Sequence, residues 1–456
     1  MLSNTVFRQI GWLALLLFCG LTVGYAQEQA DEKPAALPEP LTLEKALELA
    51  DEPHPELQIA EARISAAEAE LQGARAGDDT AIYVDGALAY VEPPDYALNQ
   101  DHDDHRLTLN LDKTLYDFGR TRSASEAAAR QLDSSKLLRI NTRQQRRLEI
   151  MQRFFDVVLA DLQYYRYNEE MAVEFVELDK MRDRYELKQI SDLALLEQEA
   201  VYQRARHRRS QSQNRQRETR ARLAQALNRP GQLPRNVVPP DLPAIEQELP
   251  EVESLQTLAL KENPVVQSLR ERVEADRARV AEARAGDNPS VQGTLQAGAY
   301  SRERNSYDDF RAELQLTVPL YDGSRTDAGV AREKARLFET QSRLSLAERD
   351  VRQQVLELWL QLDSLKAKRE QRETEKRYRE LYLDRSRALY ELEVEADLGD
   401  SMVLYTEAER NAAETDYETA LAWARLNALL GRLDLDEAFV PPKNLLQKDE
   451  TDAQSE

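Results

Sequence analysis

The chain has 456 residues, with 61 Lys or Arg against 83 Asp or Glu and a formal net charge of −22. That balance argues against general nucleic-acid binding and reads first as a solvated helical surface. Only 15 residues are Gly and 32% are charged, which suits extended helices better than two or three ordinary domains.

Residues 1–26 read as an export signal. Arg8 supplies the positive start, Ile10 to Cys19 the apolar run, and Gly24 and Ala26 the small residues before cleavage at Gln27. A signal anchor is the competing reading, against which stands a run short for a hydrocarbon core about 30 Å thick. Cys19 is the one cysteine, so the exported chain would hold no disulfide. Lipidation of Cys19 is the other alternative, although Phe18 precedes it where lipoprotein signals have a small residue. No later stretch has eighteen consecutive apolar residues, so no transmembrane helix is expected.

Residues 27–41 form a Pro- and Glu-rich tether. A helix is expected from Thr42 to Ala76, capped by Thr42 and interrupted near Pro53 and Pro55. The period then changes to two. Thr80 to Val91 alternates, and Arg106 to Tyr116 alternates more sharply. Leu107, Leu109 and Leu111 lie on one face, with Thr108, Asn110 and Asp112 on the other. This is a hairpin of roughly ten-residue strands, the length a tilted strand needs to cross a bilayer.

Arg120 to Gln189 contains no Gly and no Pro, which predicts a helix about 100 Å long. Met151, Phe155, Val158, Leu162 and Tyr165 step by four and three, marking a coiled-coil seam. A returning helix is expected from Ser191 or Asp192 to about Asn228, followed by a Pro-rich linker at 230–250.

The plan then repeats. LYDFGRTR at Leu115 recurs as LYDGSRTD at Leu320, and HPELQ at His54 as NPVVQ at Asn263. Ile150, Phe154 and Val157 match Val355, Trp359 and Leu362 at the same distance past the motif. The repeats are 42–229 and 251–431, and 432–456 is a polar tail. The second repeat is expected to contain a helix over 254–285, strands over 290–300 and 310–320, and helices over 326–393 and 401–430. Gln292, Thr294, Gln296, Glu313 and Gln315 face one way, and Leu314, Leu316 and Val318 the other.

Four strands cannot close a barrel, for which about eight are needed, and lipid tolerates no open sheet edge. The expected fold is therefore mainly α with a small β part. Long antiparallel coiled-coil helices form an α-barrel, and the four strands of each chain contribute to a shared transmembrane β-barrel. Leu107, Leu109, Leu111, Leu314, Leu316 and Val318 would face lipid. Thr108, Asn110, Asp112, Gln292, Thr294, Gln296, Glu313 and Gln315 would line the lumen.

The duplicated order of helix, hairpin, long helix and returning helix resembles the TolC-like outer membrane efflux protein family. So do LTLEKALELA before His54-Pro55, the LYDFGR and LYDGSR motifs, and ARLNALLG at Ala424 to Gly431. The resemblance covers Thr42 to Gly431. It implies a homotrimer in the outer membrane of a Gram-negative bacterium, with its helical part in the periplasm. It also implies a passive exit duct for efflux or type I secretion, docked to a periplasmic adaptor and an inner-membrane pump. The alternative is a soluble periplasmic coiled-coil scaffold, which has no need of lipid-length strand pairs. Two departures stand out. His54 replaces the family's Asn, and Lys188 and Glu393 stand where the helix tips commonly have Gly.

No catalytic constellation, phosphate loop or cofactor motif is present, so an enzyme is not expected. Asp101, His102, Asp103, Asp104 and His105 are a weak metal candidate in the first hairpin loop, where a solvated loop is the plainer reading. The basic run Arg204 to Arg222 reads as a solvated face paired with acidic neighbours, or as a contact for an anionic partner. Phe154, Phe155, Trp359, Tyr164, Tyr165 and Tyr167 read as inter-helix packing. At the second helix tip, Glu393, Glu395, Asp397 and Asp400 are candidates for an acidic ring around the aperture, with Gly399 as the turn. Lys188, Ser191, Asp192 and Gly399 are candidates for the adaptor-facing surface.

Overall fold

The computed structural model describes residues 36–96, 100–242, 248–301, 308–392 and 397–432. The chain divides into two units between Leu37 and Pro38, and the described helices and strands all belong to the second. The expected signal, most of the tether, the tail after residue 432, Glu393 and Glu395 lie outside the described residues.

The first half runs α1 (Leu43–Glu48), α2 (Pro55–Arg75), β1 (Thr80–Ala87), β2 (Arg106–Tyr116), α3 (Arg120–Glu186) and α4 (Asp192–Ala226). The second runs α5 (Val252–Glu262), α6 (Pro264–Arg284), β3 (Ser290–Tyr300), β4 (Phe310–Thr317), α7 (Arg325–Glu391) and α8 (Leu398–Leu429). Helices α3 and α7 have 67 residues each, about 100 Å at helical rise. Among the described residues no helix is both long and apolar enough to cross a membrane.

Several expected boundaries move. The helix expected over 254–285 breaks at Asn263, whose side chain caps α6 by accepting from the Val265 and Val266 amides. Proline at the first helical position completes that start. β1 stops at Ala87, so Leu88 and Tyr90 lie beyond it, and β4 stops at Thr317, leaving Val318 outside the ladder. The last helix begins at Leu398, so Gly399 is helical and does not form the turn. A Cβ there would stand 2.7 Å from Val173 of α3, so a close helix contact accounts for the glycine.

Helix α3 packs against α2 and α4 of its own half and against α6 and α8 of the other. That double contact explains why two rows of its apolar residues, Ile150–Phe154–Val157 and Met151–Phe155–Val158, are both buried. The seam thins at Tyr165, which is exposed. Polar pairs hold the register. Arg220 grips Asp161 with two bonds of 2.7 Å, Arg166 reaches Glu407 at 3.2 Å, and Arg130 reaches Glu271 at 3.0 Å. Phe155 stacks on Tyr417 at 4.5 Å. Helix α7 packs on α5, α6 and α8, with Arg369 2.9 Å from Asp416.

The two expected hairpins are one antiparallel sheet in the order β1-β2-β3-β4. The helical order follows it, with α2 and α4 flanking α3, then α6 and α8, then α7.

Candidate functional site

Register fixes what each face of the sheet carries. Ile82, Leu111 and Leu295 are opposite one another, as are Val84, Leu109 and Ala297. Leu314 faces Gly293 and Leu316 faces Val291. On the other face Tyr83, Asn110, Gln296 and Arg311 form one row, and Asp112, Thr294 and Glu313 form another. All the residues expected on the lumen face share this polar side, and Leu107, Leu109, Leu111, Leu314 and Leu316 share the apolar one.

The polar face is bonded across strands. Tyr83 and Thr294 both donate to Asp112 at 2.7 Å. Asn110 donates to Asp85 at 2.9 Å and accepts from Gln296 at 3.0 Å. These polar groups are buried while the apolar face is open. Thr108 and Asn110 are 6% and 5% exposed, whereas Leu109 and Leu314 are 49% and 70% exposed. A water-soluble sheet would show the reverse.

Below each strand pair the repeated motif turns the chain. Phe118 and Gly119, then Gly323 and Ser324, take left-handed conformations in succession. Asp117 accepts from the Thr121 amide at 2.6 Å and Asp322 from the Thr326 amide at 2.6 Å, each standing at a helix start. Burial pushes the Asp117 carboxyl upward, but the bonds from Thr121, Gly119 and Arg120 outweigh it and hold it below the usual range. The Thr326 hydroxyl chiefly holds Asp322 low in the same way. The glycines of ARAGDD and ARAGDN let the incoming helix approach. A Cβ on Gly77 or Gly286 would stand 3.0 or 3.1 Å from the Thr121 or Thr326 hydroxyl.

At mid-height the replacement of Asn by His54 has a physical answer. In the second repeat Asn263 donates to the Leu429 carbonyl at 3.1 Å. His54 instead accepts from the Glu56 amide at 3.2 Å. The matching carbonyl, on Ala226, accepts from Arg146 at 3.4 Å, and the same guanidinium reaches Ala50. Arg146 is 2% exposed, and its counterpart past the second motif is Val351. Arg143 and Arg147 both donate to Asp51 beside it, and the Arg143 bond chiefly draws that carboxyl below its usual range. Burial, helped by the Arg146 charge, pushes His54 down. Sequence reasoning missed Arg146; comparing the repeats at equal distance past the motif would have found it.

At the tips, Lys188 has a left-handed backbone with φ 58°, where Gly costs least. Its amide donates to Tyr185, and Gln189 donates to Arg184, both at 2.8 Å. Ser191 caps α4 by accepting from the Ala194 amide, and Asp192 bonds the Tyr185 hydroxyl. At the other tip Asp397 precedes α8, and Asp400 lies in its first turn. Both are exposed.

The loop from Asp101 to His105 does not converge. His102 stacks on Tyr90 at 5.2 Å and sits 3.2 Å from the Val91 carbonyl, while His105 lies near Asp103. Among the described residues no group of three or more His, Cys, Asp or Glu is placed to hold a metal. In the basic run, Arg208 pairs with Glu170, Arg209 bonds Tyr164, Arg220 binds Asp161, and Arg215 and Arg222 share Glu218. Pairing with acidic neighbours therefore accounts for most of it. Trp359 donates to the Pro250 carbonyl at 2.9 Å, which ties the linker to α7.

Comparison with known proteins agrees with this geometry. Residues 255–432 match the family model described as outer membrane efflux protein. A stretch of 191 residues is 28% identical to the alkaline protease secretion protein AprF of Pseudomonas aeruginosa. That match spans 39% of this chain and 38% of AprF. The crystal structure of the outer membrane protein VceC from Vibrio cholerae superposes with a TM-score of 0.68 at 16% identity. It covers 86% of this chain and 97% of that one. The Campylobacter jejuni CmeC outer membrane channel gives 0.67 at 14% identity, over 87% and 88%. At such identities the likeness establishes the fold. Together with the match to its second repeat, it makes the chain a TolC-like member of the outer membrane efflux protein family.

Proposed function

We propose that the chain is the passive outer membrane exit duct of a tripartite efflux or type I secretion system. The observation that carries this reading is the inverted sheet, with its polar face buried and bonded and its apolar face open. Only lipid on the outside and water within suit that arrangement.

β1 and β4 each keep one free edge among the described strands. Helices and strands share one order across the chain, so a single seam closes both layers. β4 and α7 of one copy meet β1, α2 and α4 of the next. The family supplies the number three, which gives a twelve-stranded barrel. The helices then continue the tube into the periplasm toward an adaptor and an inner-membrane pump. The likeness to AprF supports the secretion branch, because that protein's name is a secretion one.

Rotational symmetry sets Asp397 and Asp400, with Glu393 and Glu395, as acidic rings at the periplasmic aperture. Lys188, Ser191 and Asp192 meet the adaptor. Gly399 sets the approach of α8 to α3.

The mature protein should sediment with outer membranes and run as an SDS-resistant oligomer that heat dissociates. Recovery as a soluble periplasmic monomer would overturn the duct and leave the scaffold. In planar bilayers, Asp397→Ala/Asp400→Ala should lose cation selectivity and conduct better. Unchanged selectivity would move those carboxylates to the outer side.

A further inference from the structure

Beneath the sheet a cleft of about 1030 Å³ opens between α6 and α7. Five guanidiniums line it, those of Arg120, Arg279, Arg325, Arg332 and Arg336, against the carboxylates of Glu282, Asp322 and Glu333. Arg332 and Arg336 share Glu333 at 3.0 and 3.1 Å, so one positive charge is left over there. Asp322 is engaged by the first amides of α7, and Arg279 by Asp276 at 2.8 Å. Arg120 and Arg325, the corresponding residues of the two repeats, make no ion pair among the described residues. A local excess of positive charge is unexpected in a chain of −22.

The cleft's side of the helical wall can be traced. A second polar cleft shares Arg279 and Arg336 with it and ends at Arg343. Eleven residues further, about three turns, Gln354 opens a third, bounded across the wall by Gln145 and Gln152 of α3. The linker residues Glu248 and Leu249 lie over a different face of α7, at Trp359 and Asp363. A linker carried by every copy belongs outside a tube, which leaves the Arg-lined side to the bore.

We propose that this cleft binds multivalent oxyanions, such as polyphosphate or polycarboxylate groups, in the bore just beneath the barrel. Guanidinium forks suit such ligands, and several charges acting together hold them where a single exposed pair would not. The proposal rests on the duct reading.

The test uses the whole protein in planar bilayers, with inorganic triphosphate added to the barrel side. Wild-type channels should be blocked reversibly, and Arg120→Gln/Arg325→Gln channels should need about tenfold more triphosphate, one lost charge-assisted bond's worth. Arg120→Lys/Arg325→Lys should keep most of the block. If the double Gln variant fails to assemble, Arg332→Gln serves the same comparison, since that side chain is 75% exposed. Equal block of wild type and variant, or no block of either, overturns the proposal. So does loss of bound phospholipid in the variant without any block, which would assign the cleft to a membrane headgroup. Failure of wild-type protein to form channels would count instead against the duct.

Discussion

Leu314 and Gln315 are neighbours on β4 and point to opposite faces, which makes them a matched pair for arginine substitution. Leu314 lies four residues from Phe310 and three from Thr317. At about 2.4 Å of depth per tilted residue, that is near the middle of the apolar band. Its partner Gly293 offers no side chain to cover it. Leu314→Arg should therefore cost about 2–4 kcal/mol per chain, or about 6–12 kcal/mol in a trimer. At 1.4 kcal/mol per tenfold, this should nearly abolish the heat-dissociable oligomer in outer membrane fractions. Gln315→Arg, facing water and Gln292, should assemble within twofold of wild type. Quantifying heated and unheated samples on SDS gels reads both. Equal assembly of the two variants, whether good or bad, would refute the assignment of faces.

Lys188→Gly should raise the thermal midpoint, since it relieves left-handed strain worth about 1 kcal/mol; a fall would show that the side chain contributes more than its backbone costs. Gly399→Ala should destabilise the α3–α8 contact by about 1–3 kcal/mol, and Val173→Ala should rescue it. Equal melting of the single and double variants would deny the close contact. Burial pushes the Tyr417 phenol up to about 12, with the Asp416 charge adding to it. Because the folded chain favours the neutral phenol, this contribution is complete below pH 10 and is lost as pH rises through about 12. Denaturation scans from pH 9 to 12 should show that loss, and Tyr417→Phe should remove it. His54→Asn and Arg146→Val together recreate the second repeat's junction, so their stability effects should be non-additive by at least about 1 kcal/mol. Additive effects would mean that the two sites are not exchanging one donor for another.

Much of this molecule was legible because its elements are long and periodic. Alternation at Leu107, Leu109 and Leu111 fixed a face, and freedom from Gly and Pro after Arg120 fixed the long helix. Pairing was less legible. Period two shows that β2 and β3 are strands, but no local signal says that Asn110 lies beside Gln296. The donor to Ala226 was hidden for the same reason, because Arg146 reaches it across space. Gly399 misled because glycine serves both turns and close helix contacts, and only the position of Val173 separates the two. Tyr90 and Val318 kept the alternation after the ladder had ended.

The join between β2 and β3 also dictates an order of events. It closes a loop from Tyr116 to Ser290, so the sheet cannot exist until most of the second repeat has been exported. Hairpin β1-β2 must therefore wait in the aqueous compartment with Ile82, Val84 and Leu109 uncovered. Local helix formation is fast and pairing across such a separation is slow. During that interval the open apolar face is a substrate for any chaperone that binds alternating strands. Changes that shorten the wait, by speeding the docking of α3 on α6, should lower dependence on such a chaperone without altering the finished duct.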